Sequence, residues 1–185
     1  MSKLILIKHA APEVVPSVPS EQWHLSEKGR ASCTPLAEQM RPFNPAIIVS
    51  STELKAVETA ELVAPKLGIP HSTARDFHEH DRSNVPHMRS SEFISAMELF
   101  FRKPDELVLG RETAQRAEAR FTRAVQNVLQ QHQDVAIVSH GTVIALLLAR
   151  YSDRSAFQLW RELGLPSFAV LDAPDMRIDN LVSKV

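Results

Sequence analysis

Two short aliphatic runs, Leu4 to Ile7 and Val135 to Val138, each lead within two residues to a histidine, His9 or His140, which small residues then follow. Continuous apolar runs of this length with polar ends are the mark of strands buried on both faces of a parallel sheet. Open α/β sheets bind ligands just beyond the carboxyl ends of such strands. Two histidines drawn from opposite ends of the sequence can therefore meet at one sheet edge.

The intervening sequence alternates helical and extended patterns. Pro12 to Pro19 is proline-rich and reads as loop. Ser26 is placed as the N-cap of a helix from about Glu27 to Met40, and Ala46 to Val49 reads as a strand. Ser50 and Glu53 have the spacing of a reciprocal capping box. Ala56, Ala60, Val63 and Leu67 then line one helical face, which Gly68 ends. Ile69 to Ala74 is a short strand, and the polar stretch from His78 to Arg82 reads as a surface loop ending near Pro86. Helices are predicted over Ser90–Phe101, Thr113–His132, Thr142–Tyr151 and Ser155–Leu163, the third apolar nearly all round. Strands are expected at Phe168–Leu171 and, at an edge, near Ile178–Val182. This order predicts an α/β fold, a three-layer α/β/α sandwich with a mostly parallel central sheet.

A length of 185 residues, 44% of them apolar, suits one domain spanning 1–185. The net charge of −1 argues against a nucleic-acid partner. No stretch approaches the roughly 20 apolar residues of a membrane span, and no secretory signal core is visible, so a soluble, cytoplasmic protein is expected. The lone Cys33 allows no internal disulfide and reads as a small buried side chain.

Lys8, His9 and His140, with Lys55 one turn into a helix, pool cationic chemistry and two helix amino termini at one edge, provided the strands of Lys8 and Lys55 are parallel and adjacent. Such a site favours an anion, and phosphate is the obvious candidate. A neutral histidine can attack phosphorus when cations stabilise the equatorial oxygens. The leaving oxygen then needs a proton donor, and Glu79 is the best-placed carboxyl by chain order; burial or anionic surroundings would raise its pKa for that task. His78, Glu79, His80 and Asp81 could instead be read as a metal cluster, but a third clear ligand is lacking. Arg82 offers a further phosphate contact.

Six segments, in order, resemble the histidine phosphatase superfamily, the phosphoglycerate mutase-like group. Lys8-His9-Ala10 is similar to its Arg-His-Gly signature, and Leu25 to Gly29 to its Leu-Thr-x-x-Gly helix start. Ser50 to Ala60 resembles its Ser-Ser-x-x-x-Arg-Ala-x-x-Thr-Ala segment. Phe77-His78-Glu79 stands at the place of its acid, Gly110 to Thr113 resembles its Gly-x-Glu-Ser helix start, and Ser139-His140-Gly141 its second histidine. The resemblance implies a phosphoglycerate mutase-like fold and a metal-independent phosphomonoester hydrolase without cofactor. In it His9 is phosphorylated and Glu79 is the acid and then the base. His140, Lys8 and Lys55 hold the phosphoryl group, with Ser51 or Ser26 adding a hydrogen bond. Its partner would be a small phosphate monoester or a phosphorylated protein, chosen by the loops Pro12–Trp23 and Asp76–Arg89. A mutase-type phosphotransferase and a weakened, phospho-ligand-binding or regulatory member are the alternatives. The paired lysines motivate the last, since Lys8 and Lys55 stand where the family has arginine; Ala10 in place of the family's glycine is a further departure. Lysine is a point charge where arginine grips two oxygens, a difference of roughly 1 to 3 kcal/mol per grip.

Overall fold

The computed structural model describes residues 2–185. Its elements are β1 (Lys3–Lys8), α1 (Glu27–Met40), β2 (Ile47–Ser50), α2 (Leu54–Leu67), β3 (His71–Thr73), α3 (Ser90–Arg102) and α4 (Ala114–Gln131). There follow β4 (Val135–Ser139), α5 (Gly141–Arg150), α6 (Ala156–Glu162), β5 (Ser167–Asp172) and β6 (Arg177–Val182). The sheet order is β3-β2-β4-β1-β5-β6. Neighbours from β3 to β1 pair parallel, while β5 is antiparallel to both β1 and β6. The fold is the three-layer, mostly parallel α/β architecture that the alternation of patterns implies.

The two-residue period of β1 builds both interfaces. Leu4 and Leu6 face the layer of α3 to α6, and Ile5 and Ile7 face α1 and α2, all four fully buried. Truncating any of them to alanine would cost about 2–5 kcal/mol. Helix α5 follows β4 into the core, and every residue from Gly141 to Leu148 is buried. Its all-round apolarity is thereby explained. Among the described residues, no helix is long and apolar enough to cross a membrane.

β1 and β2 are parallel but not adjacent, because β4 lies between them. That corrects the assumption of neighbouring strands and brings the β4 edge between the ends of β1 and β2. Pairing continues past the strand ends: the His9 amide donates to the Ser139 carbonyl at 3.1 Å and the Ser51 amide to the Val138 carbonyl at 2.8 Å. Three chain segments are thus fixed side by side by backbone bonds.

The capping of α2 also differs from expectation. Glu53 itself is the N-cap residue, and its amide donates to Ser51 Oγ at 3.3 Å, while Ser50 Oγ donates to the Ser51 carbonyl. The Glu53 carboxylate is engaged elsewhere, so no reciprocal box with Ser50 forms. At α1 the Ser26 cap forms as expected, accepting from the Gly29 amide at 3.1 Å and donating to the Ala11 carbonyl at 3.0 Å. Gly29 is demanded by that approach, since a Cβ there would lie 2.0 Å from the Ala11 oxygen. Cys33 is fully buried on α1, and burial pushes its thiol up to about 11.

Candidate active site

His9 leaves β1 into a buried position with its ring centroid 5.1 Å from that of His140. Its Nδ1 lies 2.8 Å from the Ala10 carbonyl oxygen. A carbonyl only accepts, so Nδ1 carries the proton and the Nε2 lone pair is left free. Burial, followed by the nearby His140 and Lys55, pushes the His9 pKa well below its ordinary value. The imidazole is neutral at pH 7 and nucleophilic at Nε2.

The segment behind His9 is tied down from α2. The Ala10 amide donates to Thr59 Oγ1 at 3.0 Å, and that hydroxyl donates to the Lys55 carbonyl at 2.7 Å. Ala10 has no positive φ, and its methyl is fully buried among the side chains of α1 and α2. The alanine is therefore accommodated without backbone strain.

His140 is the N-cap of α5. Its Nε2 lies 2.9 Å from Ser51 Oγ and 3.4 Å from Glu53 Oε1, and its buried Nδ1 has no partner. Burial lowers its pKa to about 4, against the opposing pull of Glu53 and Glu79. Ser51 is thus fully buried between His140 and the start of α2.

The two lysines behave differently. Lys55 is buried, and its ammonium donates to the Ser20 carbonyl at 2.6 Å and to Glu53 Oε2 at 2.5 Å. Lys8 donates to the Leu163 carbonyl at 2.7 Å, and its Nζ would lie 3.2 Å from a Cβ at Gly141. Burial pushes its pKa down, with Glu79 opposing. Lys8 therefore underlies the start of α5, its ammonium held by a backbone carbonyl. Ser26 is committed to its cap and to the Ala11 carbonyl.

Glu79 enters from the loop after β3. One oxygen accepts from the His80 amide at 2.8 Å and the other from the Thr142 amide at 3.2 Å, with Arg82 at 3.9 Å. Burial raises its pKa, but Arg82, His140 and these amides overcome that and hold it at about 2. The expectation of a raised pKa is not met, because the carboxylate has charge-assisted partners on both oxygens.

Four residues that shape the site, Glu53, Arg120, Gly110 and Thr59, have no such part in the sequence reading. Glu53, read there as a capping residue, bridges Lys55, His140 and the Glu79 amide, which it accepts at 2.8 Å. Burial opposes ionisation, yet His140, Lys55 and that amide hold it at about 2. Arg120 of α4 clamps the acid-bearing loop, donating to the carbonyls of Asp76, His78 and Glu79 and to both oxygens of Glu112. Its signal is positional: Arg120 stands three residues after Ala117 and four before Ala124, both buried, so its row faces inward. Gly110 completes the clamp, with φ of 77° and room for no Cβ, which would lie 2.2 Å from the Asp81 oxygen. Thr59, quoted above only as part of a motif, positions the backbone behind His9.

His80 Nε2 meets the Glu112 carbonyl at 2.9 Å and its ring lies 4.2 Å from that of Phe100. Among the described residues, no group of three or more His, Cys, Asp or Glu side chains is arranged to hold a metal ion.

A neutral imidazole with a free Nε2, a second histidine, a buried lysine and two carboxylates thus lie together at the carboxyl edge of the parallel strands, an arrangement suited to an anionic group. Residues 4–177 match the family model of the histidine phosphatase superfamily (branch 1), and the chain belongs to that superfamily. Among solved structures it is similar to a mycobacterial glucosyl-3-phosphoglycerate phosphatase complexed with VO3, at 20% identity, a TM-score of 0.73, and coverage of 98% of this chain and 97% of that one. It is also similar to a phosphoserine phosphatase from Entamoeba histolytica in complex with 3-phosphoglyceric acid, at 16% identity, a TM-score of 0.78, and coverage of 100% and 98%. An Agrobacterium tumefaciens protein assigned as the phosphohistidine phosphatase SixA aligns at 17% identity with a TM-score of 0.63, covering 100% of this chain and 99% of that one. No curated protein matches the sequence.

Proposed function

We propose that this protein is a phosphomonoester hydrolase acting through a phosphohistidine on His9. The observation that carries the reading is the state of His9: its Nδ1 proton is fixed on the Ala10 carbonyl and its Nε2 lone pair is free. Nε2 attacks phosphorus, the bond to the leaving oxygen breaks, and that oxygen takes its electron pair and a proton from Glu79. Water then attacks phosphorus, the P–N bond breaks, and the Glu79 carboxylate takes the proton released. Lys55 and His140, with Arg82 close to Glu79, offset the charge on the equatorial oxygens. A bound phosphoryl dianion supplies the negative charge that raises Glu79 from its low value towards protonation.

The substrate is a small phosphate monoester or a phosphorylated protein; the proteins of similar fold are described as phosphatases of glucosyl-3-phosphoglycerate, phosphoserine and phosphohistidine. Incubation with 4-nitrophenyl phosphate should release phosphate in the wild type and not in His9→Ala. Turnover that persists in His9→Ala would contradict the mechanism.

A second reading has an observation of its own. Lys55 is already paired with Glu53 and Lys8 with the Leu163 carbonyl, which suits a weakened catalyst retained as a phospho-ligand binder. No turnover of any phosphate, together with a thermal midpoint raised by inorganic phosphate, would favour it.

A further inference from the structure

A cavity of about 570 Å³ opens between the two loops that flank the candidate site. Its apolar walls are Val14, Val18 and Trp23 on one side and Val85, Met88 and Phe93 on the other. It adjoins the chemistry at two points. Ser20, in its wall, accepts the Lys55 ammonium, and Arg82, in its wall, lies 3.9 Å from the Glu79 carboxylate. Val14 is 53% exposed, one of three large hydrophobic side chains so placed among the described residues.

The charges of the wall narrow what can fill it. Arg82 is the one arginine or lysine among the described lining residues, and it is committed: its guanidinium faces the Phe93 ring at 5.1 Å, reaches Thr142 Oγ1 at 3.4 Å and attends Glu79. The one carboxylate there, Glu21, is exposed. A leaving group with its own carboxylate would meet an acid and an arginine already engaged, with the exposed His87 imidazole the one other titratable group in the wall. An apolar ring would cover Val14 and stack beside Phe93 and Trp23. Cavities of roughly 300–1,000 Å³ take ligands of drug size, so a bicyclic ring is within reach.

We propose that the substrate is a phosphomonoester whose leaving group is an uncharged, largely apolar aryl group seated in this cavity. The inference rests on the phosphatase reading for its chemistry but not for its binding geometry. A leaving group of that kind also places little demand on Glu79 as the acid. An aryloxide departs with little help from a proton donor, whereas an alkoxide depends on one.

Phosphonates separate binding from turnover, since their C–P bond is not hydrolysed by this route. Calorimetry on the wild-type protein should find (1-naphthyl)methylphosphonate bound on the order of 10- to 100-fold more tightly than methylphosphonate, as burial of the ring implies. Val14→Asp, an exposed position outside the catalytic machinery, should abolish most of that gap and leave methylphosphonate unchanged. Equal affinities, no detectable binding of the naphthyl compound, or tighter binding of 2-amino-4-phosphonobutyrate or of a phosphoserine peptide would each overturn the proposal. In turnover, 1-naphthyl phosphate should exceed phenyl phosphate in kcat/KM, because the two leaving groups are similarly acidic and differ mainly in size. A naphthyl preference in binding without hydrolysis of either ester would sink the phosphatase reading and leave the cavity standing as the subsite for an apolar aryl group.

Discussion

The site has two halves built in different ways. The edge half, His9, Ser51 and His140, is held by backbone pairing: Lys8 opposite Ser139, Ser50 opposite Val138, and amide bonds that continue one residue beyond each strand. The loop half, from Asp76 to Met88, is held by side chains reaching from far along the sequence, above all Arg120. The first half fixes atoms through a rigid sheet, and the second depends on a few charge-assisted ties. Chemistry should therefore be lost by changing the edge, and positioning by changing the loop ties.

The largest effect is expected at the edge. His9→Ala should lower phosphatase turnover by at least about 10³-fold while the thermal midpoint stays close to wild type, because the proposed mechanism makes this residue the nucleophile. Loss of turnover with gross unfolding would mean that its role is structural. Next comes the loop clamp. Arg120→Ala should reduce kcat on the order of 10- to 100-fold, with KM for 4-nitrophenyl phosphate much less affected, since displacing Glu79 by about 1 Å spoils its activation of water, the step that an aryl substrate still needs from it, more than binding. Arg120→Lys should recover only part of the loss, because a lysine cannot span three carbonyls and a carboxylate.

The region where the halves meet makes a prediction of opposite sign. Glu53 neutralises Lys55 and contacts His140, so Glu53→Gln should tighten competitive inhibition by inorganic phosphate by about 5- to 10-fold. A weaker phosphate affinity would show that the carboxylate orients the pocket and does not compete with its ligand.

Acid stability offers a smaller test. His140 is held near 4 when folded and rises to its ordinary 6.5 when unfolded, so between those values the unfolded chain binds the extra proton. Stability should fall by on the order of 2 kcal/mol as pH drops from 6.5 to 5. Glu53 and Glu79, both held at about 2, should extend the loss between pH 4.5 and 2, for the same reason that protons favour the unfolded chain there. A flat denaturation midpoint from pH 7 to 5 would contradict the buried neutral His140. The smallest effect is none: turnover should be unchanged by EDTA, because Lys55 and Arg82 carry the charge that a metal would otherwise supply.

The same contrast decides what the sequence made legible. Continuous apolar runs and capped helices announced the layers, the bounds of α1 and the two histidines, because local pattern and backbone pairing agree there. Side-chain direction was not legible. Lys8 and Lys55 look alike in sequence, yet one ammonium meets the Leu163 carbonyl and the other meets Glu53. Glu53 fits a capping pattern equally well on paper; what recruits it is the Glu79 amide, 26 residues away. Arg120 bonds carbonyls 41 to 44 residues earlier, a reach that no local pattern encodes.

The central claim is covalent chemistry at His9, and the most direct measurement is phosphopeptide mapping of protein quenched during turnover of an aryl phosphate. The account predicts a phosphoryl group on the His9 peptide that is labile to acid and stable to alkali, absent from His9→Ala. Steady hydrolysis with no phosphorylated His9 peptide, or with the label on another residue, would contradict it.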